Sequence, residues 1–102
     1  MVNVDSSTAN VWADILKALA HPTRVQIVAE LLRGTKCVTD MQDILPARQA
    51  NVSQHLAVLR YARLVDFTQK GSQRCYFLLR PELIDGVLQH LSAELKQPEA
   101  VE

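Results

Sequence analysis

Apolar residues first recur at helical spacing in Val11, Trp12, Ile15, Leu16 and Leu19, which predicts a helix over roughly 9–20. Ser6, Ser7 and Thr8 before it are residue types that cap helices, and residues 1–8 are expected to fray. His21-Pro22 interrupts the pattern, and Pro22 suits the first turn of a new helix, where a missing N–H costs nothing. Val25, Ile27, Val28, Leu31 and Leu32 carry that second helix to a stop at Gly34. Thr39-Asp40-Met41-Gln42 has capping-box spacing and predicts a short third helix through about Leu45, closed by Pro46. A fourth helix is expected at about 48–62. The period then changes. Leu64–Gln69 and Arg74–Leu79 are rich in β-formers on either side of Lys70-Gly71-Ser72-Gln73, the pattern of a hairpin. Pro81 opens a last helix with Leu83, Ile84, Val87, Leu88, Leu91 and Leu95 at its apolar positions, and the tail after Pro98 is expected to be loose.

Four helices, a hairpin and a final helix, with a short helix and tight turn just before the fourth, outline a winged helix-turn-helix. The fold class expected is mainly α with a small β-hairpin wing. At 102 residues the chain is expected to be a single domain, 1–102, ordered over about 9–97. An apolar content of 48% is too high for a disordered chain. No uncharged apolar run approaches the roughly 18 residues of a membrane helix. The first ten residues lack the basic and apolar segments of a signal peptide, so a cytoplasmic, nucleoid-associated protein is expected.

Formal charge is zero, but it is segregated. Between residues 44 and 81 stand Arg48, Arg60, Arg63, Lys70, Arg74 and Arg80, against Asp66 alone. Acids dominate both flanks. A basic middle attracts polyanions, while the acidic end limits non-specific adhesion. On a helical wheel the fourth helix turns Val52, Leu56 and Leu59 to one side. The other side carries Ala50, Ser53, Gln54, Ala57 and Tyr61, with Gln49 and Arg60 at a flank. Small residues allow close approach, and amides and hydroxyls pair with base edges in a major groove that admits one helix. Arg48, Arg60, Arg63, Lys70 and Arg74 are placed to hold phosphates. His55 falls at the edge of the apolar face, suited to anchoring the helix or reaching a phosphate. A solvated helix in an ordinary bundle is the plainer alternative, and the order of elements argues against it.

The segments LKALAHPTRVQIVAELL, KCVTDMQDIL, RQANVSQHLAVLRYARLV and KGSQRCYFL, from about Leu16 to Leu79, resemble the ArsR/SmtB family of bacterial repressors. The resemblance implies a homodimer built from the first and last helices and a palindromic double-stranded DNA operator. The broad apolar stripe of the last helix supports the same dimer, with Val11, Trp12, Ile15, Leu83, Val87, Leu88, Leu91 and Leu95 as interface candidates. By position, Gln49, Asn51, Ser53 and Gln54 match the family's base-reading region, and Lys70, Ser72, Gln73 and Arg74 its wing. The family's metal sites do not carry over. A Cys-x-Cys site reads Cys37-Val38-Thr39 here, and the last helix lacks the acid and histidine pairs, leaving His90 alone.

Cys37 and Cys75 remain as effector candidates. A short strand at Cys37 pairing with the hairpin's second strand would bring the two sulfurs together within one chain. Three readings stand: small buried hydrophobes, a redox or reactive-sulfur switch, and a soft metal or metalloid site. As a switch, oxidation is expected to shift the wing and lower DNA affinity. No glycine phosphate loop, apolar carboxylate pair or nucleophilic triad is evident, so an enzyme is not expected. The competing functions are a winged-helix protein-interaction module without DNA binding and a constitutive regulator without a thiol effector. Aromatic anchors, which a protein-binding face favours, are limited to Tyr61 between Ile44 and Val65.

Overall fold

Asp5 opens the first helix, α1 (Ser6–Leu19), by accepting a hydrogen bond from the Thr8 N–H at 2.8 Å. The helix thus starts three residues earlier than the apolar period indicates, because a cap needs only a side-chain acceptor and no apolar residue. Ser6, Ser7 and Thr8, expected as caps in a fraying end, lie inside it. These coordinates come from a computed structural model that describes residues 2–46 and 49–95. In α2 (Pro22–Leu31) Pro22 takes the first turn and the His21 Nδ1 accepts from the Thr23 N–H at 3.1 Å. Gly34 then lets the chain turn into β1 (Lys36–Cys37).

The third helix, α3 (Val38–Ile44), begins one residue before the expected Thr39 cap. Its N-cap is Cys37, with no side-chain cap bond, and the capping box does not form. Thr39 Oγ1 instead donates to Gln73 Oε1 at 2.7 Å, an acceptor supplied from across the fold by the hairpin. The fourth helix, α4 (Gln49–Tyr61), is followed by Arg63 in the left-handed region at φ 60°. That turn feeds β2 (Val65–Lys70), which pairs antiparallel with β3 (Gln73–Leu78). Gly71 at φ 63° takes the first of two turn positions, where a type II′ hairpin demands glycine. β1 pairs with the other edge of β3, giving the order β1-β3-β2. The last helix is α5 (Pro81–Glu94).

The core is one cluster drawn from every helix. Ile27 and Val28 of α2, Met41 of α3, Val52, Leu56 and Leu59 of α4, and Ile84 of α5 meet Leu64, Val65 and Tyr76 of the wing. This is the winged helix-turn-helix arrangement, and it leaves one side of α4 and the hairpin tip outside. Among the described residues no helix is long and apolar enough to cross a membrane.

Candidate nucleic-acid interface

The inward side chains of α4, Val52, Leu56 and Leu59, are 0% exposed. Burial of that row decides where its neighbours point: Asn51, Ser53, Gln54 and Ala57 are all exposed. Thirteen residues make a rod of roughly 20 Å, and the major groove is about 12 Å wide. Lys70, Ser72, Gln73 and Arg74 stand exposed around the hairpin turn. Between α4 and the wing runs an open groove of about 1220 Å³, bordered by Ser53, Arg60, Gln73 and Arg74 among others. Arg48 lies outside the described residues, as does the side chain of Gln49.

His55 turns the other way. Its ring sits 4.3 Å, centre to centre, from that of His21, and its Nδ1 lies 3.2 Å from the Arg24 Nη1. Arginine can only donate, so this nitrogen is the acceptor and carries no proton. Arg24 Nε donates to the Ala18 carbonyl at 2.7 Å, so one side chain ties α1, α2 and α4 together. Burial, then the neighbouring His21, then Arg24, lowers the pKa of His55 below its ordinary 6.5. The neutral ring therefore stabilises the fold fully above pH 6.5, and that contribution is lost as pH falls through the lower folded value. We expect the melting temperature to drop on acidification over that window, and less so for His55→Gln, which accepts but does not titrate. Parallel acid limbs for the two proteins, recorded by circular dichroism, would remove His55 as the cause.

Cys37 and Cys75 are paired partners in the β1–β3 register, and their sulfurs are joined in a disulfide. The Cys75 side is fully buried, whereas Cys37 is half-buried. Two residues after Cys37, in the first turn of α3, and two before Cys75 on β3, Thr39 and Gln73 make their hydrogen bond, so the start of α3 is tied twice to the wing. Among the described residues no group of three or more His, Cys, Asp or Glu side chains is gathered to hold a metal ion.

The proposed dimer faces divide in two. Val11, Trp12, Leu83, Leu91 and Leu95 are exposed apolar residues on α1 and α5, joined by Leu16, which the sequence reading left out. Ile15, Val87 and Leu88 are half-buried, and Ile15 and Leu88 pack on the chain's own core. Two further side chains with positional roles, Arg24 and Phe67, were not singled out from the sequence, and Thr39 was expected as a cap rather than as the partner of Gln73. Only Arg24 carried a signal, since a cation in the first turn of a helix opposes the helix dipole and needs a reason to be there.

The description of the arsR family of bacterial regulatory proteins matches residues 21–66. The arsenical resistance operon repressor of Bacillus subtilis is 38% identical over 73 residues, covering 71% of this chain and 69% of that protein. The transcriptional repressor SmtB of Mycobacterium tuberculosis is 37% identical over 75 residues, 74% of this chain but only 56% of the repressor's length. The chain thus spans little more than half of that relative. Reduced HlyU from Vibrio cholerae superposes with a TM-score of 0.76 at 28% identity, covering 89% of this chain and 95% of HlyU. The fold and the helix-turn-helix define a bacterial regulatory domain. The chain belongs to the ArsR family.

Proposed function

We propose that the chain is a homodimeric, sequence-specific DNA-binding repressor that reads a palindromic operator, acting at the nucleoid in the cytoplasm. One observation carries the DNA reading. Asn51, Ser53 and Gln54 stand exposed on a helix whose opposite side is wholly buried, beside a basic wing. Amide side chains at that position can bond adenine edges through two hydrogen bonds. The exposed apolar faces of α1 and α5 supply the dimer, and two-fold symmetry sets the two α4 helices for inverted half-sites. The thiol state of Cys37 and Cys75 is the effector in this reading. Their disulfide and the Thr39–Gln73 bond pin the wing to α3, and a pinned wing settles less well on the duplex.

The experiment is a selection of duplexes from a random pool, followed by anisotropy titrations of the reduced protein, the oxidised protein and Cys75→Ala. Reduced protein should bind a palindrome with affinity that falls steeply with salt. Oxidation should weaken binding by about tenfold, the 1.4 kcal/mol scale of a modest allosteric coupling, and Cys75→Ala should ignore the oxidant. No selected sequence and a flat salt response would reject DNA binding in favour of an interaction module. Equal affinities in all three proteins would reject the thiol effector alone.

A further inference from the structure

Arg60 and Arg74 belong to different elements, α4 and β3, yet both guanidinium groups lie over the same ring, Phe67 of β2. Their central carbons are 4.7 and 4.3 Å from its centre. Arg60 is held a second time. Asp66 Oδ1 accepts from its Nε at 3.0 Å and from the Phe67 N–H at 2.8 Å. Those two donors, with the charges of Arg60 and Arg63, hold the Asp66 carboxyl below the usual carboxylate range, so the anion persists well into acid. Phe67 is itself a fixed plate. It is half-buried against the core and lies 5.3 Å, centre to centre, from Tyr76, its register partner on β3.

The charges in this cluster do not balance. Asp66 is the one acid facing Arg60, with Arg63 near it, and among the described residues Arg74 has no ion-pair partner. A purely structural network has no use for the surplus. Both arginines border the groove between α4 and the wing, where the duplex backbone would pass. A free arginine samples many rotamers, and ordering it on binding is unfavourable. A guanidinium held over a ring face is already ordered, with N–H donors left to meet phosphate oxygens.

We infer that Phe67 is a positioning residue, which orders Arg60 and Arg74 into a two-cation clamp on the DNA backbone at the inner side of the wing. The inference rests on the DNA reading above and adds a residue that touches no nucleotide itself.

The test uses the selected duplex and reduced, full-length protein, with anisotropy titrations across a salt series. Phe67→Leu keeps apolar bulk but removes the ring face, and Phe67→Tyr keeps the face. Phe67→Leu should lower affinity by about tenfold and make the plot of log affinity against log salt less steep by about 1, since each phosphate neutralised contributes about 0.9 and Arg60 stays bonded to Asp66. Phe67→Tyr should restore both. Arg74→Gln should also cost much less affinity in the Phe67→Leu background than in the wild type. A Phe67→Leu protein that melts lower but keeps the wild-type salt slope makes Phe67 a packing residue and overturns the inference. A wild-type protein with no salt-dependent binding fails the DNA reading itself, a result visible before any variant is made.

Discussion

Leu91→Glu is expected to leave the chain folded, make it monomeric, and cut its affinity for a palindromic duplex by about a thousandfold. Leu91 is 47% exposed in the single chain, on the same helix as the exposed Leu83 and one turn before the exposed C-cap Leu95, so a carboxylate there disturbs little within one copy. In a two-fold dimer the patch meets its own image. Each pairing would then bury two like charges without partners, a loss of several kcal/mol. A monomer keeps one half-site of a pair set about 34 Å apart. Specific binding typically exceeds non-specific binding by roughly 10³–10⁷, and much of that margin needs both halves. Ser92→Glu, one residue on and exposed, is the control for added charge. Sedimentation velocity and anisotropy read the two effects separately. A Leu91→Glu chain that still sediments as a dimer at full affinity would take α5 out of the interface.

Reduction of the Cys37–Cys75 bond should lower the free energy of unfolding by about 2–4 kcal/mol. The bond joins residues 38 apart, and the chain-entropy relation gives about 4 kcal/mol for a loop of that length as an upper figure. A domain this size has roughly 5–15 kcal/mol in total, so the change is a large fraction. At about 4–8 °C per kcal/mol the melting temperature should fall on the order of 10–30 °C. Calorimetry with and without a thiol reductant measures it. The double variant Cys37→Ala/Cys75→Ala should melt near the reduced value in both conditions. If reductant leaves the wild-type melt unchanged, the crosslink contributes no net stability.

Periodic features of this chain could be read directly from its residues. Val52, Leu56 and Leu59 repeat at the helical period, so the buried side of α4, and with it the outward Ser53, Gln54 and Ala57, followed without coordinates, whereas Asn51 came only by position from the family resemblance. The hairpin was equally plain from two β-forming runs on either side of Lys70-Gly71-Ser72-Gln73, although the strands extend to Lys70 and Gln73 and leave only Gly71-Ser72 as the turn. The cross-strand meeting of Cys37 and Cys75 depended on a two-residue strand before α3, and that strand is present. Contacts between elements left no such trace. Thr39 has the spacing of a cap, but the amide of Gln73 won its hydroxyl from 34 residues away. His55 sat at the edge of the apolar arc on the wheel, which fits inward and outward positions equally, and Arg24 decides between them. The Phe67 stack joins three elements, and no local pattern encodes it.

Arg24 has one more consequence. By bonding the Ala18 carbonyl and the His55 ring, it couples α1, at the edge of the proposed dimer seam, to α4, the proposed reading helix. In the proposed dimer, a tilt of a few degrees at α1 would then be passed on as altered pitch between the paired α4 helices. Such a change would spoil the fit to a fixed operator while every base-contacting side chain stayed intact, so loss of repression need not begin at the DNA surface.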